Sequence, residues 1–333
     1  MAGTRHHTLP KFLLKGFASR TEGNKVFTWM YRKEGKPREI STKDIGVEEH
    51  FYGRKGETNA DDEITLLETS QYAPLLEKLR KKSPQSGVVE VDERLLIADL
   101  ISHLSTRTRN FRKSVYESTD YLIAALDNYF ADFSNIENFL LKYPAQSQKH
   151  LRLKSLLGSN TNFLDSKKTK IKTSLESFFT SIKSELPRII KESHNTTLKE
   201  MPVSKIRAAA YGQMRWFLFS YNEPSVILGD SGCLFEIAEA KNYKIFNDKK
   251  DTLKQAFLPI ASNKVLIGTV SGNPKLDRKK LNQAIAKCSE GFFVYSKNSE
   301  RMTKLIPVIG TESKIISQVN LEQIVIKAFR QWR

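Results

Sequence analysis

The hydrophobic period of this chain changes twice, and that double change limits the fold more than any other feature. Val26-Phe-Thr-Trp-Met-Tyr31 alternates by two and is rich in β-branched and aromatic residues, which predicts a strand. The Gly35-Lys-Pro37 turn and a second strand over 38–40 complete a hairpin. From Asp61 the period becomes 3.6. Ile64, Leu67, Leu75, Leu76 and Leu79 form one stripe, with an irregularity expected at Pro74. After a polar break over 81–87, a long helix is predicted from Asp92 to Tyr116, with Leu95, Leu96, Leu100, Leu104 and Phe111 on its apolar face. Helical segments continue over 120–139, and a long amphipathic helix is expected over 168–193. Around Met201-Pro202 the period returns to two. Strands are predicted over 213–220, 225–229, 233–237, 257–260, 265–268 and 291–296, with helices over 279–288 and 320–332. Strand-rich ends flanking a helical middle imply a single α+β domain over 1–333. Its sub-regions are a hairpin and motif segment (1–60), a helical part (61–200) and a β-rich part with a terminal helix (201–333). The N-terminal hairpin and the C-terminal strands are expected to share a sheet.

The chain is long enough to bury a large core: of 333 residues 39% are hydrophobic, with 19 Phe and 11 Tyr. No apolar run reaches the length of about 20 residues that spans a bilayer, and the N-terminus shows no apolar signal region. Cys233 and Cys288 form no metal-binding pair, and such sparse cysteine usage suits a reducing cytoplasm. The formal charge is +17, from 54 Lys+Arg against 37 Asp+Glu, which points to a polyanionic partner, nucleic acid before an anionic membrane surface. The densest basic stretches hold Lys167, Lys168 and Lys170, then Lys279 and Lys280, then Arg109 and Arg112. Each lies beside apolar residues, so each reads as a face of a folded body suited to phosphate contacts without base readout.

The stretch His7-Thr-Leu-Pro10-Lys-Phe-Leu-Leu14-Lys-Gly-Phe17 puts an imidazole three residues ahead of a proline that opens a short apolar helix. With Lys25–Lys33, Phe51-Tyr52, Leu67-Glu68…Leu75…Leu79, Arg107-Thr108, Trp216…Asp230, Leu258-Pro259…Ser262, Asn282 and Gly291–Ser296, it resembles, in order, the motifs of an uncharacterised bacterial domain-of-unknown-function family, number four-two-three-eight. That family opens with His-x-x-Pro-x-x-x-Leu-x-x-Phe. One departure is Gly232, where the family's Ser-Asp motif is followed by a proline. The resemblance implies a bacterial cytoplasmic protein. It brings no known activity; defence against phage or mobile elements is the role such families suggest.

His7, Glu68, Arg107 and Asp230 stand out as a candidate catalytic set. An imidazole moves protons near neutral pH, a guanidinium holds a phosphate in bidentate fashion, and two carboxylates suit a magnesium ion. The competing reading is a scaffold, with His7 bonded to Glu68 and Arg107 paired to Asp230. Other patterns are weaker. Asp230 with Glu239-Ala-Lys241 matches a nuclease superfamily pattern, yet an intervening strand rising about 3.3 Å per residue would hold the two carboxylates roughly 20 Å apart. Arg188 and His194 match a helical ribonuclease spacing, but six positions along a helix put them on different faces. His6 and Ser231 lack the neighbours that metal binding or a nucleophile elbow needs. Trp216, Phe217 and Phe219 read as strand core. The expected function is a nucleic-acid-binding effector with nuclease activity as its candidate chemistry. The alternatives are a non-enzymatic interaction module working with an operon-encoded protein partner, and a membrane-surface protein.

Overall fold

The computed structural model describes residues 5–53, 60–82, 87–136, 161–238, 243–248, 251–316 and 318–332. The chain divides into two compact units, Met1–Arg112 with Ser193–Ile315, and Lys113–Glu192 with Ile316–Arg333.

In the first unit, β1 (Arg5–His7) is followed by α1 (Lys11–Leu14), which tightens into a 3₁₀ turn over Lys15–Phe17. The apolar Phe12, Leu13, Leu14 and Phe17 are all buried, as the motif predicts. Gly16 is required here, because a Cβ would overlap the Ile260 carbonyl oxygen. The hairpin forms β3 (Lys25–Arg32) and β4 (Arg38–Ser41), after β2 (Arg20–Glu22). Its partner from the far end of the chain is β13 (Phe292–Tyr295), paired antiparallel with β3 from Phe292↔Arg32 to Tyr295↔Trp29. β13 in turn pairs β8 (Leu228–Gly229). The expected α+β class and the shared sheet are thus the observed architecture.

A second, six-stranded sheet runs β10 (Tyr243–Lys244), β9 (Leu234–Ile237), β11 (Leu253–Ala261), β12 (Lys264–Thr269), β7 (Arg215–Ser220) and β6 (Gly87–Val88). Its two faces feed two cores. Ala256, Leu258, Ile260, Leu266 and Trp216 join the apolar residues of α1 and the helical middle. Phe257, Val265 and Ile267 join Tyr31, Phe293 and Ile285. The alternation by two therefore sorts side chains between two interiors, not between interior and water.

The helical middle comprises α2 (Ala60–Leu67), α3 (Ala73–Lys81), α4 (Val91–Thr106) and α5 (Arg109–Phe130). Between α2 and α3 lies a π turn, Glu68–Tyr72, immediately before Pro74. The expected irregularity has a clear cause: Pro74 has no N–H for the i−4 carbonyl and its ring crowds that carbonyl, so the turn widens. The long helix expected from Asp92 to Tyr116 is two helices. Arg107 adopts φ −90° and ψ −1°, and Thr108 Oγ1 accepts the Phe111 N–H at 3.1 Å, starting α5 afresh. The apolar stripe continues across the break, which is why the period hides it.

The helix expected over 168–193 is longer, α6 (Thr161–Glu200), and runs through His194 without a stop. A short helix absent from the sequence reading follows, α7 (Lys205–Gly212); the strand expected from Gln213 starts at Arg215. Of the strand expected over 225–229, only Leu228–Gly229 is extended and paired. Then come α8 (Arg278–Cys288), α9 (Glu300–Thr303) and α10 (Gln318–Trp332).

The second unit takes parts of α5, α6 and α10. Ile123, Leu126 and Phe130 pack with Phe179, Ile182 and Leu186. Lys183 pairs Asp127 at 3.0 Å, and Tyr129 stacks on Phe329 with centroids 4.2 Å apart.

Gly268 of β12 lies opposite Trp216 of β7, and a Cβ there would sit 2.8 Å from the indole ring. Trp216 is fully buried and donates its Nε1–H to the Tyr211 carbonyl at 3.1 Å, so it has little freedom to move. Gly268→Ala should therefore destabilise the protein by about 1–3 kcal/mol through overpacking, read as a lower denaturant midpoint at unchanged slope.

Candidate functional site

β1 pairs β5 (Val47–Glu49) in a two-stranded ribbon, His7 opposite Val47. The ribbon puts two successive histidines on opposite sides. His6 is buried, and its Nδ1 accepts the Tyr52 N–H at 3.0 Å. His7 is half-buried, and its Nδ1 lies 3.2 Å from the Ile45 carbonyl oxygen. A carbonyl only accepts, so Nδ1 carries the proton and Nε2 keeps its lone pair. Burial, with Lys11 nearby, lowers the His7 pKa to about 4. The ring is neutral at pH 7.

The main-chain carbonyl of His7 is the centre of a second set. Arg107 Nη2 donates to it at 2.5 Å and the Tyr52 hydroxyl donates to it at 3.3 Å. The Arg107 guanidinium, 1% exposed, also pairs with Glu68 and donates to His103 Nε2 at 3.1 Å. The π turn carries Glu68 and Tyr72 together, and the Tyr72 ring lies 5.5 Å from the His103 ring. His103 Nδ1 donates to the Pro202 carbonyl at 2.9 Å, so both ring nitrogens are satisfied in the neutral form. Burial lowers the His103 pKa to about 4.

One turn into α5 the pattern repeats. Arg112 donates Nε–H to His194 Nδ1 at 2.9 Å, Nη1–H to the Phe51 carbonyl at 2.9 Å and Nη2–H to Asn195 Oδ1 at 2.7 Å. Its guanidinium lies 3.6 Å from the centre of the Phe51 ring. His194 Nε2 donates to the Thr106 carbonyl at the end of α4, and burial followed by the Arg112 charge lowers its pKa to about 4.

The structure thus brings together three of the four expected residues. Glu68 and Arg107 are paired, and His7 joins them through its main chain. Asp230 is engaged elsewhere. Its carboxylate accepts the N–H groups of Glu290, Gly291 and Phe292 at 2.9, 2.7 and 3.1 Å, pinning the Gly229–Gly232 turn to β13. Burial pushes its pKa up to about 6 against the pull of those donors. The expected Arg107–Asp230 pair is not formed; Glu68 takes that place. Sequence reasoning missed His103, although its i,i+4 spacing to Arg107 on one helix is visible in the chain.

Of the expected phosphate-binding residues, Arg109, Lys170, Lys279 and Lys280 are exposed, with Arg109 3.7 Å from Glu48. Arg112 faces inward and its donors are taken as described, so it offers none of the outward fork expected of it. Lys167 and Lys168 lie on α6, and their side chains fall outside the described residues. So do Glu239 and Lys241 of the nuclease-like pattern. Arg188 pairs on the surface with Glu185 and Glu192 while His194 is buried, so those two form no common site. Among the described residues no group of three or more His, Cys, Asp or Glu side chains is placed to hold a metal ion. Burial raises both thiols, Cys233 and Cys288, to about 12, far from a nucleophile's range.

A family model described as a protein of unknown function, DUF4238, matches residues 5–306. The chain belongs to that family. The matched stretch of this DUF4238 member contains His7, Glu68, Arg107 and Asp230 together with His103, Arg112 and His194. No curated protein and no solved structure matches the chain.

The arginine–imidazole pairs make the first unit acid-sensitive. Both His103 and His194 titrate near 4 when folded and near 6.5 when unfolded. The unfolded chain therefore binds protons first, and stability falls as the pH drops from about 7 toward about 4, by roughly 3 kcal/mol for each imidazole. Asp230, raised to about 6, opposes this, since its folded form takes up a proton first. The two buried imidazoles outweigh it. Denaturant midpoints measured across this range should show the decline, and His194→Asn, which keeps an acceptor for Arg112, should flatten it. Arg107→Ala should cost about 3–5 kcal/mol by stranding Glu68, and Arg107→Lys should recover only part of that.

Proposed function

We propose that this protein is a bacterial cytoplasmic effector that binds nucleic acid through exposed lysines and arginines, with phosphodiester cleavage at His7 as its candidate chemistry in phage or mobile-element defence. The observation that carries the reading is the charge left in water. Arg107 and Arg112 are consumed inside the first unit, yet a formal +17 leaves cationic side chains to spare, and Arg109, Lys170, Lys279 and Lys280 are all solvent-exposed. Lys279 and Lys280 sit in the first turn of α8, whose N-cap Asp277 accepts the main-chain N–H of both. Beside them Arg278 lies over the Tyr221 ring at 4.9 Å, a cation and a flat ring side by side of the kind single-stranded nucleic acid uses.

For cleavage, His7 is the group with the right form. Its Nδ1–H is anchored on Ile45, so Nε2 is the nitrogen available to accept a proton from a nucleophile. Glu68 and Arg107 are positioning residues in this scheme: they fix the main chain at His7 and do not themselves reach a substrate. The absence of a carboxylate cluster among the described residues leaves no built magnesium site to assign to Glu68 and Asp230.

Labelled single- and double-stranded DNA and RNA, titrated with protein, test the proposal. With about four phosphates contacted, affinity should fall about a hundredfold between about 50 and about 200 mM salt, without sequence preference. Lys279→Glu with Lys280→Glu should weaken binding at least about tenfold, since two contacts become repulsions. His7→Ala should keep binding and lose cleavage, whether magnesium is present or not. Absence of binding at low salt removes the proposal.

A further inference from the structure

A groove of about 670 Å³ opens in the first unit, between α4, the end of α6 and α7. It is apolar where it should be wet. Leu95 and Met201 line it and are 54% and 50% exposed; Val91, four residues before Leu95 on α4, and Ile206, next to the lining Lys205 on α7, are 61% and 86% exposed. So much large apolar surface in one place on a water-facing unit marks a contact surface. Small residues keep it open: Ala209 lies on its wall, and α7 approaches α4 so closely that a Cβ at Gly212 would lie 3.5 Å from Leu95 Cδ2.

The charge of the groove contradicts that of the chain. Asp99 and Glu200 both line it, and among the described residues neither has an ion-pair partner, although Lys205 lies on the same rim. Asp99 is half-buried, and burial raises its pKa. A carboxylate set in an apolar wall without a cation is a costly arrangement that a bound cation would relieve. A nucleic acid is repelled by these two groups, so the groove lies outside the nucleic-acid reading above.

We propose that the groove receives a short segment of a partner protein that presents apolar side chains next to a lysine or arginine, the apolar part covering Leu95 and Met201 and the cation pairing with Asp99. The segment is cationic because Asp99 and Glu200 select it against the long-range repulsion of a +17 chain.

That opposition makes the test sharp. The full-length protein is titrated into two fluorescently labelled peptides of equal length, one of leucine and lysine, the other of leucine and glutamate. The leucine–lysine peptide should bind and the leucine–glutamate peptide should not, the reverse of what net charge favours. Asp99→Asn should weaken binding about tenfold. Ala209→Arg, which fills the groove and adds a like charge, should abolish it. Neither variant should lower the melting temperature, and both should keep the nucleic-acid affinity of the parent. Preference for the leucine–glutamate peptide, or equal binding by parent and both variants, overturns the proposal. So does self-association in sedimentation that disappears with Ala209→Arg, which would make a second copy the occupant.

Discussion

Guanidinium groups bonded to main-chain carbonyls, that of Arg107 buried and those of Arg80, Arg112 and Arg207 partly so, hold the first unit in shape. Arg80 donates to the carbonyls of Ile260, Phe12 and Leu13, Arg107 to that of His7, Arg112 to that of Phe51, and Arg207 to that of Asn247. Each joins segments remote in sequence. The carbonyls they satisfy lie at the ends of short helices, strands and turns, where no regular partner exists. Arginine suits the task because its planar fork reaches several acceptors at once and stays charged when desolvated. Arg80 and Arg112 are drawn down to about 10 by burial and remain cations at neutral pH.

A buried cation needs compensation, and the chain supplies it in different ways. Arg107 has the Glu68 carboxylate, while Arg112 has the face of the Phe51 ring. Both also rest on imidazoles kept neutral by burial. A protonated ring at either position would be a second cation in a dry site, and its acceptor nitrogen would be lost. The neutral histidines are thus a condition for the buried arginines, and the break between α4 and α5 is where the two systems meet. His194 caps the last carbonyl of α4 and Thr108 caps the first turn of α5.

This arrangement changes what the basic composition means. Part of the positive charge is structural, bonded inside and unavailable to any ligand. What remains in water is spread over many elements, Arg109, Lys170, Lys279 and Lys280 among its carriers, and one apolar groove bears carboxylates instead. Net charge alone cannot separate these uses, because it sums residues without regard to depth.

Much of the fold is legible in the sequence. The hairpin of 26–31 with 38–40, strands over 257–260, 265–268 and 291–296, the apolar helix after Pro10 and the irregularity at Pro74 follow from side-chain spacing and proline chemistry, which act over a few residues; the structure extends the strands at 257–260 and 265–268 to Leu253–Ala261 and Lys264–Thr269. Motif order marks Glu68, Arg107 and His7 as candidates, but not that they meet. The tertiary structure decided the rest. It split the helix at Arg107, because a carbonyl of β1 and a carboxylate of the π turn draw that guanidinium inward. It turned Arg112 from a phosphate ligand into a strut, made Asp230 a pin for β13, and gave His103 and His194 their partners. Local spacing encodes which face of an element is apolar; which polar group finds which partner across the core depends on the packing of distant segments, and no local pattern carries that information.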